Sequence, residues 1–321
     1  VEADAAVTAL VDRVRRSAGL AAGQEAQQVD DALAEATSEL RLVKDAWEVD
    51  QMRKAVDATK AGFDDLIRSI PRAKGHWRGE RVLEGAFGAR AREEGNGLGY
   101  DTIAAAGDHA NTLHWIDNNG RVQPGELVLV DAGVEIDSLY TADVTRTIPV
   151  DGRFTAEQRR VYEAVLEAAD AAFARANEPG CRFKDLHAAA MEVIAARLEE
   201  WGLLPDGVTA ADSLGPEGQY HRRWMVHGTS HHLGLDVHDC AQARREMSMD
   251  AELVPGMVFT IEPGLYFRAD DLRVPAELRG MGVRIEDDVV MRPDGRAEYL
   301  TAAIPRTADD VEAWVNGLIE S

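Results

Sequence analysis

Cysteine is almost missing from this chain, with only Cys181 and Cys240 among 321 residues. That excludes a disulfide framework and points to a reducing compartment, so the expected location is the cytoplasm. No apolar run approaches the roughly 20 residues of a membrane helix, which argues against a membrane span. No signal peptide is recognisable, and the chain begins at Val1 instead of Met, so the expectation is that the true N-terminus lies further upstream. Basic residues are also scarce. Thirty-five Lys and Arg stand against 57 Asp and Glu, giving a net charge of -22. Nucleic acid and anionic membranes both require clustered cations, so neither is expected as a partner. What the chain has in quantity is apolar residues, 45% of the total, enough for one large domain or two smaller ones.

Residues 1–45 are rich in Ala and Glu and carry no nameable chemistry, although Val7, Leu10, Val11 and Val14 have helical spacing. They read as the end of an upstream domain plus a linking helix. From Ala46 the pattern sharpens, and residues 46–321 read as a separate folded unit. Trp47, Val49, Met52, Val56, Phe63 and Ile67 predict a long amphipathic helix, and a second is expected near Glu80 to Ala91. Thr155 and Gln158 have capping-box spacing ahead of Val161, Val165, Ala169 and Phe173. Glu178-Pro179-Gly180 breaks the chain, and Leu186, Val193, Ile194, Leu198 and Trp201 mark a further helix.

Two stretches of the chain repeat each other. Pro124-Gly125 leads through an apolar run to Asp131-Ala132-Gly133, and Pro255-Gly256 leads through another to Glu262-Pro263-Gly264. Asp143 then lies ten residues before Arg153, and Glu286 ten before Arg296, each run ending Asp-Gly-Arg. An acid directly after a buried apolar run is costly unless a partner compensates it. Two such pairs ask for cations and suggest a two-metal site. The offset between equivalent acids grows from 131 to 143 residues, so the second half carries twelve extra residues between Phe267 and Gly282. These are expected to form a surface loop.

Four of the nine histidines, His227, His231, His232 and His238, fall within twelve residues. Imidazole is both a metal ligand and a proton carrier near neutral pH. The glycines in this stretch disfavour a helix and predict a loop and strand, and His232 is expected to be a packing residue.

The run from His227 to Asp239 resembles the signature of the proline-specific aminopeptidases of the creatinase–prolidase–methionine aminopeptidase superfamily. Val130-Asp131-Ala132-Gly133 and Asp143-Val144-Thr145-Arg146-Thr147 resemble its two earlier motifs, and the segments around Glu262 and Glu286 its two later ones. The match runs in order over residues 46–305. The resemblance implies an α+β pita-bread fold, two pseudo-symmetric halves around a dinuclear metal site. It implies Asp131, Asp143, His231, Glu262 and Glu286 as ligands of two divalent ions, with Asp131 and Glu286 bridging. An oxygen-rich set of this kind favours Mn²⁺, with Co²⁺ or Zn²⁺ as alternatives.

By the same resemblance Glu262 also takes a proton from the attacking water, His114 and His238 face the substrate carbonyl, and His227 and Tyr266 line the proline pocket. Arg284 and Tyr100 steady the carboxylates. The implied activity is release of the N-terminal residue from peptides with proline second, with an Xaa-Pro dipeptidase (prolidase) as the alternative. A non-catalytic binding module is the reading from another class, and five intact ligand positions speak against it. The implied partners are Xaa-Pro peptides and further copies of the chain, in a dimer or tetramer.

Overall fold

The computed structural model describes residues 4–319, so the outermost residues of the two segments 1–45 and 46–321 lie outside the described residues. Five helices come first: α1 (Ala5–Ser17), α2 (Gln24–Arg41), α3 (Ala46–Arg68), the short α4 (Ile70–Lys74) and α5 (Gly79–Glu94). The first half then supplies β1 (Gly97–Leu98), β2 (Ile103–Ala106), β3 (Leu127–Ala132), β4 (Val134–Glu135) and β5 (Val144–Pro149). Helices α6 (Ala156–Ala176), α7 (Phe183–Glu200) and α8 (Ala210–Leu214) lead to the second half. Its strands are β6 (Val258–Ile261), β7 (Gly264–Phe267), β8 (Met281–Arg284), β9 (Asp287–Met291) and β10 (Ala297–Tyr299), and α9 (Ala308–Ile319) closes the fold.

The internal echo is visible in the topology. One antiparallel sheet has the order β2-β3-β5 and another β10-β9-β6. Ala132 pairs with Val144 in the first, and Ile261 with Asp287 in the second. Gly125 and Gly256, the second residue of each Pro-Gly, both take left-handed φ values, +84° and +89°. Such a φ admits glycine at little cost, which explains its recurrence at both turns. The halves are sewn together where the Glu286 amide donates to the Thr145 carbonyl (3.1 Å) and the Thr147 hydroxyl donates to the Arg284 carbonyl (2.9 Å).

Helix α3 packs on α5 and α6 on α7, covering the sheets. The α3 start is set by a capping box of Asp45 and Glu48, and the α6 start by the expected box of Thr155 and Gln158. Met52, Val56, Phe63 and Ile67 are buried as their spacing predicts. Trp47 is not; it stands 58% exposed, edge-on to Tyr140, because the first turn of α3 lies at the surface. Helix α1 also forms, yet it buries none of its residues and is tied to α2 by Arg15 and Asp30. The His-rich segment contains no regular strand, only an isolated bridge from His232 to Asp239 and another to Phe259. The extra residues after Phe267 are largely a surface loop, but Val274 and Leu278 within it are buried in the core. None of the described helices is long and apolar enough to cross a membrane.

Candidate active site

Each half sets one acid at the end of a strand and one immediately before the next strand of the same sheet. Asp131 lies in β3 and Asp143 directly precedes β5; Glu262 follows β6 and Glu286 precedes β9. Antiparallel pairing brings the members of each pair together, and the seam between halves brings the pairs together. The result is a cavity of about 350 Å³ lined by Asp131, Asp143, His231, Glu262 and Glu286, and also by His114, His227, His238 and Arg284. Of the residues expected to line the site, all but Tyr266 face this one space; Tyr266 stands behind the wall, its hydroxyl on His227 and Arg284. Leu113, Gly228 and Ser230 complete the wall.

The tightest cluster is Asp143, His231 and Glu286, whose donor atoms lie within 4.8 Å of one another. His231 Nε2 stands 3.2 Å from Asp143, 3.6 Å from Glu262 and 3.8 Å from Glu286. Its Nδ1–H points away, donating to the His232 carbonyl at 3.1 Å, so Nε2 is the atom offered to the cavity. Neighbouring donors around an octahedral ion bound at about 2.1 Å are about 3 Å apart, so this spacing suits a shared cation.

Asp131 is held differently. Its Oδ2 accepts from Arg284 at 2.6 Å, and its Oδ1 accepts from the Tyr100 hydroxyl at 2.7 Å. The same hydroxyl also reaches Asp143 Oδ1, so one proton is shared between the two aspartates. Arg284 further donates to the hydroxyls of Thr145 and Tyr266, both at 3.1 Å. Tyr266 in turn meets His227 Nε2 at 2.7 Å, while His227 Nδ1 lies 2.6 Å from the Gly228 carbonyl. This chain requires His227 Nδ1 to carry the proton and Nε2 to accept from Tyr266. His232 is buried and stacked on Phe183 at 4.4 Å, a packing residue as expected.

Electrostatics decides what the cavity can hold. Four carboxylates face it, and Arg284 is the one Lys or Arg among its described lining residues. Burial raises the Glu262 carboxyl to about 7 despite the opposing pull of His231 and Arg284. Burial, then repulsion from Asp143 and Glu262, holds Glu286 well above the usual carboxylate range. Burial also raises Asp131, partly countered by Arg284. Asp143 goes the other way: burial opposes ionisation, but the hydrogen bond and charge of His231 overcome it. His231 rises to about 9, because Asp143 and Glu262 outweigh the burial penalty. His227 falls to about 3 through burial and the nearby Arg284 charge, so it is neutral. A proton on His231 Nε2 is thus the poor substitute for a cation that this donor set would prefer, and the residues fit divalent metal ions.

Some contributors escape a reading of the sequence. The Thr145 hydroxyl donates to Glu286 at 2.7 Å while accepting from Arg284; its place two residues after Asp143 is the signal that could have found it, since strand side chains alternate. Buried Arg146 holds the Glu286 carbonyl and the Asp287 carboxylate, both at 2.6 Å. Glu80 is wholly buried in α5 and accepts from Ala106 N, His109, Trp115 and Gly120 N, bracing the loop that presents His114.

A pita-bread fold with carboxylates and a histidine converging from its two halves defines a metallopeptidase scaffold. The chain belongs to metallopeptidase family M24, whose pattern matches residues 50–293. It is 55% identical over 289 residues to Xaa-Pro aminopeptidase 2 of Streptomyces coelicolor, covering 90% of this chain and 60% of that protein. It is 36% identical over 274 residues to mouse Xaa-Pro aminopeptidase 3, covering 85% and 51%. Among solved structures, Pseudomonas aeruginosa aminopeptidase PepP superposes with a TM-score of 0.82 at 34% identity, over 97% of this chain and 67% of that one. Escherichia coli aminopeptidase P in complex with substrate gives 0.80 at 32% identity, over 89% and 62%. The chain thus spans about three fifths of the length of the Streptomyces relative.

Proposed function

We propose that this chain is the catalytic part of a dinuclear metallo-aminopeptidase that releases the N-terminal residue from peptides with proline in the second position. The observation that carries the reading is the convergence of Asp131, Asp143, His231, Glu262 and Glu286 with three further histidines on one cavity. The Xaa-Pro aminopeptidase names of its relatives at 49% and 55% identity support the same substrate class. Residues 1–45 are then the end of a preceding domain with its linker, and 46–321 the catalytic domain. The proposal extends to a cytoplasmic homo-oligomer, dimer or tetramer; two buried free thiols, Cys181 and Cys240, agree with a reducing compartment.

Two divalent ions, most readily Mn²⁺ on this oxygen-rich set, would be held by those five residues and would supply Lewis-acid activation of water and of the scissile carbonyl. The chain's own groups do the rest. Glu262, on the wall of the cavity that would hold the ions, is the group to accept a proton from water and return it to the leaving imino nitrogen. His238, at the cavity wall, would donate to the carbonyl oxygen as charge develops there, with His114 on the same cavity as its partner in that task. A proline nitrogen in a peptide bond has no hydrogen to offer, so recognition falls to the ring. Neutral His227, fixed by Tyr266 and Gly228, gives the pyrrolidine a rigid uncharged wall. Arg284 and Tyr100 keep Asp131 and Asp143 in place without leaving their hydrogen bonds.

The test compares an Xaa-Pro dipeptide with Xaa-Pro tripeptides and longer peptides after loading with Mn²⁺, Co²⁺ or Zn²⁺. Release of the first residue from the longer peptides supports the reading. Cleavage of dipeptides alone makes the chain a prolidase, and no cleavage with full metal occupancy removes both.

A further inference from the structure

We infer that Lys44, in the segment that joins α2 to α3, together with Arg41 at the end of α2, is a positioning residue for His238, acting through Asp239. The inference rests on the role proposed above for His238. That imidazole makes no hydrogen bond among the described residues, and its one ring contact there is with His231, 4.5 Å away and edge-on. Its place is therefore set by the backbone that follows it.

The next residue, Asp239, is pinned on every side. Its amide donates to the His232 carbonyl at 2.9 Å, closing residues 232–239 into a loop. Its carboxylate is buried and accepts from the amide of Cys240 at 2.9 Å. Cys240 has φ +60°, a left-handed backbone that a side chain disfavours and that needs outside support. The countercharge arrives from far away in the chain. Lys44 Nζ, its side chain 1% exposed, lies 3.1 Å from Asp239 Oδ2, and Arg41 lies 2.5 Å from Oδ1. Arg41 also holds Asp236 at 2.6 Å, on the same loop.

Packing agrees with a threaded lysine. A Cβ added to Gly234 would stand 2.4 Å from Asp239 Oδ2 and 2.8 Å from Lys44 Cε, so only glycine leaves room for the pair. The Gly234 carbonyl accepts from Thr141 N, joining the loop to the segment that carries Asp143. Lys44 is itself anchored, its amide donating to the Gly256 carbonyl at 2.8 Å beside the Val43–Met257 bridge. Removing the ammonium leaves a buried carboxylate short of charge, which relaxes toward solvent and carries His238 with it.

The test is a double-mutant comparison of the full chain loaded with Mn²⁺. Lys44→Met lowers kcat by about tenfold or more, with KM and metal content close to wild type. In the background of His238→Ala, the same substitution adds no further loss, because its effect passes through that histidine. In the metal-free protein, deuterium exchange rises across residues 232–240 and stays unchanged across β7. Should Lys44→Met not accumulate as folded protein, Arg41→Gln removes half of the clamp at the surface and gives the same pattern at smaller amplitude. An unchanged kcat, or losses that multiply with His238→Ala, overturns the inference. Wild-type rates in His238→Ala alone would instead overturn the role of that histidine, a separate result.

Discussion

Metal binding to this site releases protons, and the number follows from the cavity. At pH 7 without metal, His231 titrates near 9 and so carries close to one proton. Burial raises Glu262 to about 7, so it is partly protonated. Asp143 is held low by His231 and is already ionised, so it contributes none. Glu286, held high by burial and its acid neighbours, adds to the total. A bound cation requires all of these as bare donors. Binding at pH 7 therefore releases at least about one proton per chain, that of His231, with the raised carboxyls of Glu262, Glu286 and Asp131 adding to it. By linkage the overall association constant rises at least about tenfold per pH unit there. The sign is fixed: affinity increases with pH, and the slope declines as Glu262 and then His231 lose their protons. Calorimetric titration with Mn²⁺ in two buffers of different ionisation enthalpy reads the proton count directly. Glu262→Gln lowers that count. Release of fewer than about 0.5 protons at pH 7 would refute the electrostatic description of the cavity.

Asp131→Ala, His231→Ala and Glu286→Ala each lower activity by about 10³-fold or more and reduce metal per chain, read by elemental analysis beside a rate assay; near-normal rates at full occupancy would contradict the ligand assignment. Substrates with Ala in the second position are cleaved at least about tenfold more slowly, since loss of ring burial costs about 1–3 kcal/mol; equal kcat/KM for the two would remove the proline pocket. Glu80→Gln leaves buried donors of the His114 loop without an acceptor, at about 1–3 kcal/mol each, and lowers the denaturation midpoint in a urea titration. An unshifted midpoint would mean that the loop does not depend on this hub.

The acids were legible because each sits against a buried strand whose companion recurs in the other half. Strand pairing then does locally what the repeat suggests, bringing Asp131 near Asp143 and Glu262 near Glu286. The histidines were legible as a cluster, but their surroundings were not. The expected strand in that segment is missing because its backbone is spent on isolated bridges and turns around Lys44. The partners Lys44 and Asp239 are 195 residues apart, and no local pattern announces a contact at that range. Glu80 hides for another reason. It looks like an ordinary solvated acid on an amphipathic helix, and its partners are mostly backbone amides and a Trp, which no spacing rule exposes. The apolar spacing of α1 predicted a helix but not its exposure, since burial depends on what packs against it.

The central claim is that two halves of one chain converge on a dinuclear metal site. Anomalous diffraction from crystals of the Mn²⁺-loaded protein tests it most directly. The account predicts two manganese peaks in the cavity, each contacted by carboxylates from both halves, with His231 Nε2 on one of them. A single peak, or manganese bound away from Asp131, Asp143, His231, Glu262 and Glu286, would contradict it.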